Sequence, residues 1–403
     1  MKRFFPVTVA AAAAVLVFSA SAIAQAPIVI KFSHVVTNET TKGKGALKFK
    51  ELAEERTKGR VKIDIFPNSQ LYKDKEELEA LQLGAVQMLA PAVSKFGPLG
   101  LREFEAFDLP YLFDNAAELD KVTQGPIGKS LLKKLETKGI VGLAFWDNGF
   151  RNMSANKPLR KPEDAKGLKF RIPSSKVLEA EIRALGGLPQ VMAFSEVYQA
   201  LQTGVVDGTE ATFSNIYSQK LHEVQKYITL TEHSALLYAV IVNKKFWDGL
   251  PADIRTTLEG AIKDASKYAH DLSQKENDES VEGVKKSGKS QILTLTAAEK
   301  AEWKKAMVKT HKEFEDKIGK ELLSGIYKET GFSATPAQQA PHGRRLVCAG
   351  WTWRPSWQQA GTPVALFSAL ALRIHRRDVR ICPDERVVRA RRVAKTLDDR
   401  QRM

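Results

Sequence analysis

Arginine is scarce in the body of this chain, where lysine carries most of the positive charge. Residues 25–340 hold eight arginines, at 56, 60, 102, 151, 160, 171, 183 and 255. Two stand at the ends of segments: Arg151 in "NGFRN", and Arg171 in "GLKFRIPSS" (167–175), two residues before Pro173. In an extended chain Leu168, Phe170 and Ile172 share one face, and Lys169 and Arg171 share the other. The planar guanidinium fork can hold a carboxylate through two parallel hydrogen bonds, which an ammonium cannot do. Two such forks at segment ends suit an anion site. Other chemistries lack their residues. There is no Gly-x-Ser-x-Gly, no phosphate-binding glycine loop, no His-Glu-x-x-His and no cysteine nucleophile in the body. The seven histidines (34, 222, 233, 270, 311, 342 and 375) form no pair at ligand spacing. Neither a metal nor a cofactor is expected, and the residues point to binding rather than catalysis.

The elements that must position these arginines alternate from residue 28. "IVIKFSHV" reads as a strand and "TKGKGALKFKELAEERTKG" as a helix with Ala46, Leu47, Leu52 and Ala53 at helical spacing. "VKIDIFP", "KDKEELEALQLGA" and "VQMLAPAV" continue as strand, helix and strand. Such a run implies a parallel sheet whose ligand-facing loops lie beyond the strands' carboxyl ends. His34 and the pair Ser94-Lys95 fall at two of those ends. A second α/β unit follows at about 149–236, with strands near 152–156, in "GLKFRIPSS" (stopped by Pro173) and in "LPQVMAF", and with Ser195 placed to cap the helix "EVYQALQTG". "ALLYAVIVNKKFW" is then a long apolar strand returning to the first unit. Residues 251–332 are mostly amphipathic helix, with Pro251 and Thr296 suited to helix starts. The expected fold is α/β with two hinge-linked lobes and long C-terminal helices: 25–148 in the first lobe, 149–236 inserted as the second, and 237–333 returning to the first. A ligand would bind between the lobes.

The two ends of the chain differ from its body. Met1-Lys2-Arg3, the apolar run "FFPVTVAAAAAVLVFSA" and the small residues Ala22 and Ala24 form a secretory signal peptide with cleavage expected after Ala24. No later stretch approaches the ~20 apolar residues of a spanning helix. Beyond residue 334 the composition changes: residues 341–403 carry thirteen arginines and one lysine against five acids, or +9 of the net +15. Trp351, Trp353 and Trp357 lie there, as do the only cysteines, Cys348 and Cys382. Two thiols make no disulfide framework. The tail, 334–403, is expected to be disordered and not to pack with the body. The body shows no basic patch with interleaved aromatics, so no nucleic-acid partner is expected.

Taken together, "GLKFRIPSS", "MAFSEVYQALQTGVVDGTE" and "SNIYSQKLHEVQKY", flanked by "FPNSQL", "FDLPYLF" and "VNKKFWDGLP", resemble the solute-binding proteins of tripartite ATP-independent periplasmic (TRAP) transporters. The similarity covers about residues 28–330 and is closest to the branch that binds four-carbon dicarboxylates. It implies a periplasmic binding-protein fold that captures succinate, fumarate or malate and passes it to the small and large permease subunits; a monomer is expected. By the same resemblance Arg171 matches the arginine that clamps the ligand carboxylate, Arg151 a second cleft arginine, and Phe194 an aromatic beside the ligand. Glu210 lies in a segment lining the site, and His34 and Lys95 match first-lobe loops that close over it. Where many relatives read Glu-Asn, this chain has Glu210-Ala211-Thr212, which leaves Thr212 or Asn215 to supply the hydrogen bond. Alternatives are a different carboxylate (a monocarboxylate, keto acid or sugar acid), a periplasmic enzyme acting on an organic acid, or a sensor subunit.

Overall fold

The computed structural model describes residues 26–333. The expected signal peptide with its cleavage after Ala24, and the expected disorder of the arginine-rich tail that holds Cys348 and Cys382, concern residues outside those described.

Two sheets organise the chain. The first has the order β2-β1-β3-β10-β4, with β1 at Ile28–Ser33, β2 at Val61–Phe66, β3 at Met88–Leu89, β4 at Ile140–Phe150 and β10 at Ala235–Asn243. β1 pairs in parallel with β2 and β3, and β10 runs antiparallel to β3 and β4. β1 alternates as a half-buried strand does: Ile30 and Phe32 are buried and Lys31 is exposed. The second sheet has the order β11-β9-β5-β8-β6-β7. Its strands are β5 (Asn152–Ala155), β6 (Lys169–Ile172), β7 (Leu188–Val191), β8 (Gly208–Ala211), β9 (Tyr227–Thr229) and β11 (Gln291–Leu293).

Helices cover both sheets. In chain order they are α1 (Thr41–Arg56), α2 (Glu77–Gln82), α3 (Ala116–Gln124), α4 (Pro126–Lys134), α5 (Lys176–Ala184), α6 (Val197–Gln202), α7 (Phe213–Ser218), α8 (Lys244–Asp248), α9 (Ala252–Ser287), α10 (Ala297–Met307), α11 (Lys309–Ile318) and α12 (Lys320–Thr330). On one face of the first sheet Ile30, Phe32, Phe49, Trp146, Val240 and Leu258 share a core, and on the other Leu89, Phe96, Phe107, Ile241 and Phe314 share a second. The second sheet packs Met153, Phe170 and Ile172 against Trp303 and Met307 on one side, and Ile228 against Val197, Leu201, Ile216 and Val284 on the other.

The chain passes between the sheets three times: from β4 into β5, from β9 into β10, and from α9 into β11. At about 1.5 Å per residue, the 36 residues of α9 extend roughly 54 Å, and it touches α1 and β4 of the first lobe and α7 of the second.

Several elements depart from the sequence reading. Leu47 is 40% exposed, and Phe49 takes the core position instead. β3 keeps only two residues, because Pro91 offers no N–H and the chain turns into a 3₁₀ segment at Val93–Phe96. Ser195 does not cap α6: residues 194–196 form their own 3₁₀ turn and Glu196 precedes the helix without a side-chain cap bond. Thr296 does cap α10, in a reciprocal pair with Glu299. Within 237–333, expected to return to the first lobe, β11 instead joins the second sheet beside β9, and α10 buries Trp303 in that lobe's core. The length of α9 carries the chain back there.

Candidate functional site

A cavity of about 50 Å³ lies between the two sheets, lined in part by Lys42, Asp74, Lys95, Arg151, Arg171, Phe194, Glu210, Asn215 and Tyr238. Four cations around so small a space require explanation, since a charge held out of water is costly unless it is paired.

Arg171 is the third of the four residues of β6, and its side chain is buried although that of Lys169, on the same face of the strand, is exposed. Its Nε and one terminal nitrogen both donate to the Met192 carbonyl oxygen, at 3.0 and 2.8 Å. Asp74 lies 3.5 Å away and the Phe194 ring centroid 5.3 Å from the guanidinium carbon. Burial pulls its pKa below the usual arginine value, with Asp74 and Glu210 opposing. Arg151 follows β4 directly. One terminal nitrogen donates to the Ala235 carbonyl at 2.8 Å and reaches Asp108 and Ser234 at 3.2 Å. Its Nε stands 2.9 Å from Glu210, an ion pair without hydrogen-bond alignment. Burial alone would lower the Arg151 pKa, but Glu210 and Asp108 outweigh it and the value is raised. Burial pushes Glu210 up to about 7, against the pull of both arginines. Behind them Ser175 donates to Asp108 at 2.8 Å, and burial holds Glu181 well above the carboxylate range.

The first lobe supplies the remaining cations. Lys95, on the 93–96 turn, pairs with Glu77 at 2.6 Å and approaches Asp74 at 3.7 Å. Asp74 is the link between the lobes: it accepts the Phe194 N–H at 3.0 Å and faces both Arg171 and Lys95. Burial would raise its pKa, but those two cations lower it. An exposed pair, Lys73 with Glu196 at 2.7 Å, crosses the same gap.

Of the eight residues read from the sequence, Lys95, Arg151, Arg171, Phe194, Glu210 and Asn215 line this cavity; His34 and Thr212 do not. Asn215 donates to the Tyr238 hydroxyl at 3.3 Å, and its Oδ1 has no hydrogen-bond partner among the described residues. His34 continues the β1–β2 pairing through its N–H to Phe66, which leaves its ring edge-on to Phe32 in the core. Burial, aided by Lys42, holds its pKa down to about 3. The Thr212 hydroxyl is taken by the Asn148 amide at 2.7 Å.

Sequence reasoning missed Lys42, Asp74 and Tyr238. Lys42 carried a signal: it falls in the buried register of Ala46, Phe49 and Ala53, and it puts a cation in a first helical turn, where the helix dipole disfavours one. Tyr238 was a polar tip in an otherwise apolar strand, whereas Asp74 sat unmarked in the charge run "KDKE". Among the described residues no group of three or more histidine, cysteine or acidic side chains could hold a metal, and no helix is long and apolar enough to cross a membrane.

Two α/β lobes joined by crossing strands and a shared helix, closing on a small cationic cavity, define a hinged binding protein for a small solute. Residues 32–317 match the model of the bacterial extracellular solute-binding proteins, family 7 (DctP), and the chain belongs to that family. It is 58% identical over 329 residues to a C4-dicarboxylate-binding periplasmic protein DctP of Rhodobacter capsulatus, covering 82% of this chain and 98% of that one. Among solved structures it is similar to a TRAP periplasmic solute-binding protein of Shewanella oneidensis with bound succinate (TM-score 0.74, 42% identity, 76% of this chain and 100% of that one). It is also similar to one from Pseudomonas aeruginosa with bound L-malate (TM-score 0.70, 44% identity, 71% of this chain and 100% of that one).

Proposed function

We propose that this chain captures a four-carbon dicarboxylate such as succinate, fumarate or malate in the periplasm and delivers it to the small and large membrane subunits of a TRAP permease. It binds without turnover and acts as a monomer, after export and cleavage behind Ala24. The observation that carries this reading is the charge of the cavity: arginines from the second lobe and lysines from the first surround one small space. In that reading Arg171 clamps one carboxylate, with Arg151, Phe194, Glu210 and Asn215 shaping the same end, and the lysine side serves the other. The lobes are 25–148 and 149–236, with 237–333 shared between them through α9 and β11.

Thermal unfolding of the mature chain against a panel of carboxylates tests this. A ligand at a hundred times its Kd adds about 2.7 kcal/mol to stability, so succinate, fumarate or malate should raise the midpoint while monocarboxylates do so far less. A shift by monocarboxylates or sugar acids alone would keep the clamp and overturn the dicarboxylate assignment. Recovery of the ligand unchanged after long incubation separates binding from catalysis.

A further inference from the structure

The lysine side of the cavity holds two cations with unlike surroundings. Lys95 is already neutralised, with Glu77 at 2.6 Å and Asp74 at 3.7 Å. Lys42 is 1% exposed, and no carboxylate of the described residues lies within 4.0 Å of its Nζ. It donates instead to the Ala90 carbonyl at 3.1 Å and sits 3.8 Å from the centroid of the Tyr238 ring. A ring face and a carbonyl steady an ammonium but do not cancel its charge. A buried cation without a counter-ion that lines a cavity calls for an anion from outside.

We propose that Lys42, rather than Lys95, receives the second carboxylate of the ligand and thereby sets the preference for two-headed over one-headed acids. This rests on the dicarboxylate reading above. The ring of Tyr238 backs the ammonium and the Ala90 carbonyl takes one of its three donors, which leaves donors for a carboxylate. The same Tyr238 accepts from Asn215, so a ligand at this end meets an ammonium and an amide held by one side chain.

The arrangement makes binding proton-linked. Glu77 of α2, Asp74 of the preceding loop, Lys95 of the 93–96 turn, His34 after β1 and Tyr238 of β10 all face Lys42, and Arg151, Arg171 and Glu210 stand around the same cavity. Burial, and then Lys95, bring the Lys42 pKa down to about 7 against Glu77 and Asp74. An arriving carboxylate favours the charged ammonium, so above neutral pH a proton from solvent accompanies the ligand.

Calorimetric titration of the full mature chain with succinate and with butyrate, its one-headed analogue, decides the matter. In Lys42→Met the succinate Kd should rise on the order of 30-fold or more, while the weaker butyrate binding stays within a few-fold. Without ligand the variant should melt no lower than the wild type, because an unpaired buried charge has gone. Lys95→Met, which strands Glu77, should melt lower and weaken both acids alike. Unaltered succinate affinity in Lys42→Met, or a loss of succinate preference confined to Lys95→Met, overturns the proposal. Proton uptake is read at pH 8 in buffers of different ionisation enthalpy. Glu210 titrates over the same range, so the comparison is with Lys42→Met at saturating succinate: uptake should fall there, and unchanged uptake overturns the proposal too. Wild-type chain that binds no dicarboxylate overturns both this proposal and the functional reading, whereas wild-type behaviour in Lys42→Met overturns this one alone.

Discussion

The arginine side and the lysine side of the cavity both keep positive charge out of water, by different means. On the second lobe each guanidinium is satisfied several times over: Arg171 by one carbonyl and Asp74, Arg151 by a carbonyl, a hydroxyl and two carboxylates. With five donors in a fixed fork, an arginine can bond its own protein and still present an edge to a ligand. A lysine has three donors on one point charge. On the first lobe the charge is therefore either cancelled, at Lys95, or left waiting, at Lys42. The arginine side is built before the ligand comes, while the lysine side is completed by it.

The largest test of that contrast is Arg151→Met, which leaves Asp108 and Glu210 buried without their cation. Breaking a buried pair from one side costs about 3–5 kcal/mol, so urea unfolding should show a loss of that order without any ligand; an unchanged midpoint would mean that the arginine side is not prebuilt. Next comes Arg171→Ala, for which dicarboxylate affinity should fall by about 2–5 kcal/mol in calorimetry. Arg171→Lys should recover little of this, because the fork is lost. Glu210→Gln sharpens the comparison through pH. Glu210 titrates near 7 in the folded chain and near 4.5 unfolded. Its contribution to stability is therefore fully present below pH 4.5 and is lost as pH rises through 7. Between those limits the wild type should lose on the order of 1–3 kcal/mol relative to Glu210→Gln, and parallel curves from melts across that window would refute the assignment. The smallest effect belongs to Lys73→Ala. Its pair with Glu196 is exposed, so any change in affinity should vanish at high salt.

The same contrast governed what could be read from the sequence. Arg151 and Arg171 were legible because arginine is rare in the body and because Pro173 ends the strand. Lys42 was hidden among the lysines of "TKGKGALKFK", where only its helical register sets it apart. Strand-end reasoning placed Lys95 at the cavity, but its partner Glu77 sits in a helix whose acids read as a solvated face. It failed for His34, since a single extra pairing to Phe66 turns the ring inward, and no periodicity reports one hydrogen bond. The alternation of strands and helices was legible over both lobes, because each strand buries a face and each crossover helix a stripe. The recruitment of β11 was not, because three residues carry no periodicity, and their partner β9 lies more than sixty positions earlier.

That late strand bears on how the molecule is assembled. β9 has one edge against β5 and keeps the other bare until residues 291–293 have been synthesised and the whole of α9 has coiled. Pairing over so long a stretch of chain is slow, and an open edge is a template for a neighbouring chain. A chain stopped after α9 should retain its first sheet yet self-associate through β9. The nascent protein thus passes through a vulnerable interval, closed only by a strand that emerges some sixty residues after its partner, during which a chaperone has a definite edge to cover.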